Sequence, residues 1–180
     1  MGSVTIQTLD APIGEPVVPL AVLSASFCSA LGVTALRAPD RRPRVVSSLR
    51  VAVGAMFAVT GISHFAGMRD RMIAMTPEWL PDPELVVSAT GVLELAGAAG
   101  MLSPRLTPWA ATGLSALLVA MFPANVGLAL SGGDLEWSQR LGPRSALQVV
   151  YLAATVGLAA AAFRAGSRPR EVPGDLRRAR

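Results

Sequence analysis

A few polar side chains lie within otherwise apolar stretches of this 180-residue sequence. Glu94 is near the middle of one stretch and His64 near the end of another. Asn125 and Gln148 lie in two further stretches, and Arg144 precedes Gln148 by four residues. An acid and an imidazole can relay a proton, whereas amide and guanidinium groups can hydrogen-bond to ligand oxygens. The pattern therefore indicates acid–base chemistry at Glu94 and His64 and substrate binding at Asn125, Gln148 and Arg144.

Two interpretations of these polar residues remain open. They can form hydrogen bonds between helices that fix the helix register, and each such bond contributes about 0.6 kcal/mol on average. Alternatively, they line a polar pocket with Glu94 as its buried base. Because a charged group at the centre of a bilayer costs about 2.5–3.5 kcal/mol, the pocket is favoured for Glu94. For His64, Asn125 and Gln148 the two interpretations are balanced.

Several familiar reactive sites cannot be built from this sequence alone. Cys28 is its single cysteine, so it has no Cys-x-x-Cys pair. His64 is its single histidine, which is too few for a conventional zinc or haem site. No glycine-rich phosphate loop is present either. We therefore expect no metal site and no cofactor that a motif would identify.

The elements that carry the polar residues are long apolar segments. Hydrophobic residues make up 52% of the sequence and charged residues only 16%, against about 25% charged in an average soluble domain. A twenty-residue helix rises about 30 Å, which matches the hydrocarbon core of a bilayer. We predict an all-α integral membrane protein. Its spanning segments are predicted at 17–36, 45–66, 85–103, 106–130 and 146–163.

The same pattern divides the chain into four predicted parts. Residues 1–16 form a segment outside the membrane, and 17–36 form an extra transmembrane helix. That helix is expected to be retained, because the acidic segment before it lacks the basic residues of a signal peptide. Residues 45–165 form a four-helix membrane domain. Residues 166–180 form a basic inner tail that we expect to be disordered.

The arginines predict the orientation. All sixteen basic residues are arginines. With the amino terminus outside, eleven lie in inner segments, four lie in outer ones, and Arg50 lies within the second predicted helix near its inner end. This bias places the carboxyl terminus in the cytoplasm. The net charge of +4 fits arginines that flank the helices and bind anionic lipid headgroups. Nucleic-acid binding is the weaker interpretation, because no aromatic residues interleave with the arginines. Abundant alanine and arginine without lysine indicate a bacterial source and hence the inner (plasma) membrane.

The outer connection 67–84 carries one more candidate binding residue, Trp79. Its apolar residues predict a short interfacial helix that ends before Pro77. Trp79, which follows, is typical of a membrane-interface anchor. The alternative is that this connection is a lid over the polar pocket, in which case Trp79 contacts the substrate.

Taken in order, these motifs resemble the DoxX family and its DoxX-like branch. The resemblance covers about residues 46–163 and rests on GISHF (61–65), PEWLPDP (77–83), GVLELAG (91–97), FPAN (122–125), Arg144 and Gln148. It implies an antiparallel four-helix transmembrane bundle, to which 17–36 adds one amino-terminal helix. It also implies a membrane component of an oxidoreductase system with quinone, thiol or sulfur chemistry.

Three functions are therefore expected of a protein that resides in a lipid bilayer. As an oxidoreductase subunit, it would bind a quinone in a pocket in the outer half of the bundle and depend on a redox protein partner. As a non-catalytic scaffold or assembly factor, it would bind another protein. As a small-molecule transporter, it would need to form a homo-oligomer, because five short helices enclose little volume.

Overall fold

The computed structural model describes residues 21–22, 24–30, 41–130 and 140–166. These residues form helices joined by turns and contain no β-strand, which confirms the predicted all-α class for the described part of the chain. Residues 21–22 and 24–30 are helical and lie within the predicted segment 17–36. The helices that follow are α1 (Arg41–Ser63), α2 (Arg69–Met75), α3 (Pro83–Gly100), α4 (Thr107–Leu130) and α5 (Leu141–Gly166).

Local sequence signals set several of the helix ends. The Asp82 side chain accepts a hydrogen bond of 3.0 Å from the Leu85 N–H, and Pro83 occupies the first turn of α3. Gly67 has a φ of 77°, which lets the chain turn between α1 and α2. Helix α2 ends at Met75, and Thr76 is extended before Pro77. The short helix predicted before Pro77 is therefore confirmed.

The four long helices contact one another in the cyclic order α1, α3, α4 and α5. Helices α1 and α3 are antiparallel and close, because a Cβ built on Gly61 would lie 2.8 Å from Leu95 Cγ and one on Gly54 would lie 3.1 Å from Met101 Cβ. Such glycines let helix backbones approach each other. The short helix α2 packs against α3 and α4.

A small apolar core lies between these helices. Its largest fully buried side chains are Met56 and Phe57 of α1, Leu114 of α4 and Leu158 of α5. Phe27, from the helical residues 24–30, packs against this core. Many other large apolar side chains are exposed, including Leu102 and Val119. Exposed apolar side chains in such numbers are typical of a surface that faces lipid.

Among the described residues, three helices are long and apolar enough to cross a membrane, namely Val45–Ser63, Thr107–Gly127 and Leu141–Gly166. This result supports the predicted membrane protein. The span predicted at 85–103 is not among the three, although α3 occupies that region. Helix α3 has 18 residues and includes Glu84 and Glu94, which lower its hydropathy.

The helix boundaries differ most from the prediction at α1, which covers Arg41–Ser63 rather than 45–66 and so ends before His64, and at α5. Helix α5 begins at Leu141 rather than at 146, so that Arg144 lies in its first turns. Pro143 is tolerated there because the first N–H groups of a helix have no intrahelical acceptor. The predicted outer segment 1–16 and the tail beyond Gly166 lie outside the described residues.

Candidate functional site

Helices α1 and α3 bring an imidazole and a carboxyl group together. His64 Nε2 lies 3.6 Å from Glu94 Oε1. His64 is 2% exposed and Glu94 is 4% exposed. Because both groups are removed from solvent, their interaction is screened much less than that of a surface pair.

Small residues around these two side chains allow the close approach. His64 directly follows α1, and its N–H donates a hydrogen bond of 3.3 Å to the Gly61 carbonyl. Gly91 faces the imidazole from α3 and is itself buried. Glu94 lies about one turn after Gly91, and long side chains on a helix extend towards its amino-terminal end. The Glu94 carboxyl group can therefore reach His64.

The other ring nitrogen of His64 also has partners on α3. Nδ1 lies 2.9 Å from the Val87 carbonyl oxygen and 3.2 Å from Thr90 Oγ1. Thr90 Oγ1 lies within 2.9 Å of the Val86 carbonyl oxygen and within 3.0 Å of the Val87 oxygen. The ring is therefore held from both sides, by the α3 backbone at Nδ1 and by Glu94 at Nε2.

Glu94 retains one carboxyl oxygen without a partner. Oε2 is buried and has no hydrogen-bond partner among the described residues. A buried acceptor without a donor is costly, and each such atom in a folded protein calls for an explanation. Oε2 is thus the atom of this pair that a further ligand or proton could engage.

Arg69 connects the short helix α2 to α3 and to the backbone of His64. Its Nη1 donates to Ser88 Oγ at 3.0 Å and to the His64 carbonyl oxygen at 3.5 Å. Its Nη2 lies 3.8 Å from Glu84 Oε2, in a pair whose acid is 75% exposed. Sequence reasoning assigned no site role to Arg69, Ser88 or Thr90. The spacing of Glu84 and Ser88, four residues apart on one face of α3, was the available signal for Arg69.

The other four predicted site residues are Gln148, Arg144, Asn125 and Trp79. Gln148 is buried, and its Nε2 donates to the Leu118 carbonyl oxygen of α4 at 2.7 Å, which is an interhelical hydrogen bond. Arg144 has a buried Nη1 without a hydrogen-bond partner among the described residues. Asn125 is half-buried on α4, and Trp79 is 74% exposed. Within the described ranges, no hydrogen bond or ion pair joins these four residues to His64 or Glu94.

An apolar groove lies on the other side of α3. It has a volume of about 510 Å³ and is lined only by apolar residues of α3 and α4, among them Leu93, Gly97, Gly113, Leu114 and Leu117. Leu93 immediately precedes Glu94 in the sequence. In the part of the chain that the structure describes, no cluster of three His, Cys, Asp or Glu residues could hold a metal ion.

A family profile described as a domain of unknown function (DUF8561) matches residues 53–166. The match begins within α1 and reaches the end of α5, and therefore includes His64, Arg69 and Glu94. No curated protein and no solved structure matches the chain.

This match shows that the expected membership of the DoxX family is wrong. The resemblance rested on short runs such as GISHF and FPAN, whose glycine, alanine and phenylalanine residues are common wherever apolar helices pack closely. Such runs can recur in the same order in unrelated helical membrane proteins. The redox chemistry that the DoxX resemblance implied therefore has no family support.

Proposed function

We infer a function from the site itself, because the chain belongs to the DUF8561 family, whose description leaves its activity open. We propose that this protein is a membrane component of an oxidoreductase system. In this proposal His64 and Glu94 exchange a proton with a lipid-soluble quinone. The observation that carries the proposal is the buried acid–imidazole pair between α1 and α3, with 3.6 Å between Nε2 and Oε1.

The energetic argument starts from the cost of burying this pair. Two apolar side chains of similar volume would hold α1 against α3 without the desolvation of an acid. An ionisable group at membrane depth costs about 2.5–3.5 kcal/mol and is found mostly where protons, ions or ligands are handled. A carboxyl and an imidazole in contact are suited to passing a proton between them. Function is therefore the better explanation for Glu94.

A quinone is the ligand class that fits a membrane-embedded proton site. Its reduction to a quinol consumes two electrons and two protons, and its tail is soluble in lipid. A redox protein partner would supply the electrons. His64 and Glu94 would pass two protons to the quinone, one after the other, and regain each of them from water at the outer surface. Arg144, whose Nη1 has no hydrogen-bond partner among the described residues, offers a donor for a quinone oxygen.

The proposal includes a specific membrane arrangement. Helix α3 packs between α1 and α4, both of which are long and apolar enough to span, so we propose that α3 crosses with them as part of an antiparallel four-helix domain. The arginine bias places the amino terminus outside and the carboxyl terminus in the cytoplasm of a bacterium. Residues 17–36 would add a fifth helix. In this orientation His64 lies in the outer half of the membrane.

The experiment that tests the function is a quinone titration in lipid nanodiscs. Wild-type protein is compared with Glu94→Gln and with Glu78→Gln, since Glu78 is exposed and lies outside the long helices. We expect saturable binding of a short-chain quinone that weakens about tenfold or more in Glu94→Gln and is unchanged in Glu78→Gln. Equal affinity in all three proteins would show that Glu94 does not contact the quinone.

A non-catalytic scaffold is the second candidate, favoured by a different observation. His64 uses both ring nitrogens within the protein, and Gly61 and Gly91 leave little free space around it. On this interpretation the pair fixes the register of α1 against α3, and a protein partner binds elsewhere. Absence of quinone binding by wild type and Glu94→Gln, together with equal stability of the two, would favour the scaffold.

A further inference from the structure

The contact between His64 and Val87 determines which ring nitrogen carries a proton. Nδ1 lies 2.9 Å from the Val87 carbonyl oxygen, which can accept a hydrogen bond but cannot donate one. If Nδ1 had no proton, its lone pair would face that oxygen at close range. Nδ1 must therefore be protonated, and it donates to Val87.

The neighbouring hydroxyl fits this assignment. Thr90 Oγ1 lies 2.9 Å from the Val86 carbonyl oxygen and 3.2 Å from His64 Nδ1. Its single proton can be donated to a backbone carbonyl of the preceding turn, as threonine commonly does in a helix. Thr90 is then an additional acceptor near Nδ1 and is not its donor.

A proton on Nδ1 creates a conflict at the other nitrogen. In a neutral imidazole, Nε2 then has a lone pair, and this lone pair faces Glu94 Oε1 at 3.6 Å. An ionised carboxylate would place a negative oxygen against that lone pair. Glu94 Oε2 has no donor among the described residues, so hydrogen bonding there would not offset the charge.

We propose that the His64–Glu94 pair holds two protons, one on Nδ1 and one on either Nε2 or the Glu94 carboxyl group, which lie 3.6 Å apart. The pair is then electrically neutral, either as a carboxylic acid with a neutral imidazole or as a carboxylate with an imidazolium. Low polarity around the pair favours a neutral total charge. Arg69 Nη1 lies 3.5 Å from the His64 backbone carbonyl oxygen, and Arg69 Nη2 lies 3.8 Å from Glu84 Oε2.

This assignment changes the role of the pair. At rest it holds a proton that it can release through Glu94, so it is a proton donor rather than the base that the sequence suggests. Its use in protonating a reduced quinone rests on the proposed function. The protonation state itself rests only on the geometry of His64, Val87 and Glu94.

The single histidine allows a direct measurement. Full-length protein labelled with ¹⁵N-histidine, in lipid nanodiscs at neutral pH, gives one imidazole whose two nitrogens report their protonation by NMR. Infrared difference spectra between wild type and Glu94→Gln report whether Glu94 is a carboxylic acid. We expect a protonated Nδ1 together with either an acid band from Glu94 or a protonated Nε2.

Two results would overturn the inference. One is an unprotonated Nδ1. The other is a proton on Nδ1 alone, without an acid band from Glu94. Thr90→Val is the matched control: the proton on Nδ1 should persist in this variant, whereas its loss would show that the Thr90 hydroxyl determines the tautomer. Quinone binding is measured separately, so failure of the redox proposal would leave these spectra unchanged.

Discussion

Gly91 lies directly against His64, and a Cβ built on Gly91 would come within 2.6 Å of the His64 Cβ. The absence of a side chain at this position is therefore what allows the imidazole to reach α3. The same α1–α3 contact positions Val87 and Glu94 beside the two ring nitrogens. The packing of the two helices and the geometry of the acid–imidazole pair thus depend on one residue.

Replacement of Gly91 by alanine should destabilise the protein. The added methyl group meets the His64 Cβ, which is fixed to the backbone and cannot move away as a flexible side-chain end could. We expect a loss of about 1–3 kcal/mol in the free energy of unfolding, which is typical of overpacking. Unfolding in mixed detergent micelles measures the loss.

Gly113→Ala is the matched control for this measurement. Gly113 is also helical, but a Cβ there meets nothing within 4 Å, so we expect a change within about 0.5 kcal/mol. Gly54→Ala, with Met101 Cβ at 3.1 Å, should fall between the two. Equal stability of the Gly91→Ala and Gly113→Ala variants would contradict the close packing at His64.

Replacement of Arg69 by glutamine should loosen α2 without unfolding the long helices. The guanidinium group joins α2 to Ser88 and to the His64 carbonyl oxygen, but its pair with Glu84 is largely exposed. Such exposed pairs contribute about 0–1 kcal/mol. Hydrogen–deuterium exchange should therefore become faster within α2, while the exchange of α4 stays unchanged.

Arg71→Gln provides the comparison for Arg69. Arg71 lies on the same short helix and is exposed. The Arg71→Gln variant should exchange its α2 amide hydrogens at the wild-type rate. If Arg71→Gln accelerates exchange as much as Arg69→Gln does, net charge rather than the Arg69 contacts holds α2 in place.

The pair of hydroxyl groups between α4 and α5 should show measurable coupling. Ser115 Oγ lies 2.8 Å from Thr155 Oγ1, and Thr155 is fully buried. A double-mutant cycle with Ser115→Ala and Thr155→Val should give a coupling of about 0.6 kcal/mol, the average for such bonds in membranes. A coupling near zero would mean that each hydroxyl is satisfied by its own helix, through the Ala111 or Tyr151 carbonyl.

The positions of the helices could be predicted from the sequence because they follow from local properties. Apolar segment length locates α1, α4 and α5, and Pro77 limits α2. The match to membrane thickness was weakest for α3, where Glu94 interrupts the apolar run. Family membership could not be obtained in this way, since the short motifs contain residues that many membrane helices share.

Contacts between side chains were much less predictable. The sequence predicts Gln148 and His64 at the same depth in the membrane. Gln148 donates a hydrogen bond to the Leu118 carbonyl oxygen of α4, whereas His64 hydrogen-bonds to the Val87 carbonyl oxygen of α3. These partners depend on how each helix is rotated about its axis. Rotation is set by close contacts such as the one at Gly91, which arise between segments far apart in the sequence.

The orientation in the membrane can be tested with introduced cysteines. Cys28→Ser first removes the native thiol. Glu78→Cys then reports on the connection before α3, and Pro104→Cys reports on the connection after it; both positions are exposed. Pro104 is preferable to Arg105, because loss of an arginine would alter the charge bias that predicts the orientation.

A membrane-impermeant maleimide should label Glu78→Cys in intact cells and Pro104→Cys only after the cells are permeabilised. This result is expected because the arginine bias places the α2–α3 connection outside and the α3–α4 connection in the cytoplasm. The reverse labelling would place the carboxyl terminus outside. Equal labelling of both positions in intact cells, or of neither, would mean that α3 does not cross the membrane. Glu94 would then not lie at mid-membrane depth. The cost of burying an ionisable side chain in lipid would no longer support a function for Glu94.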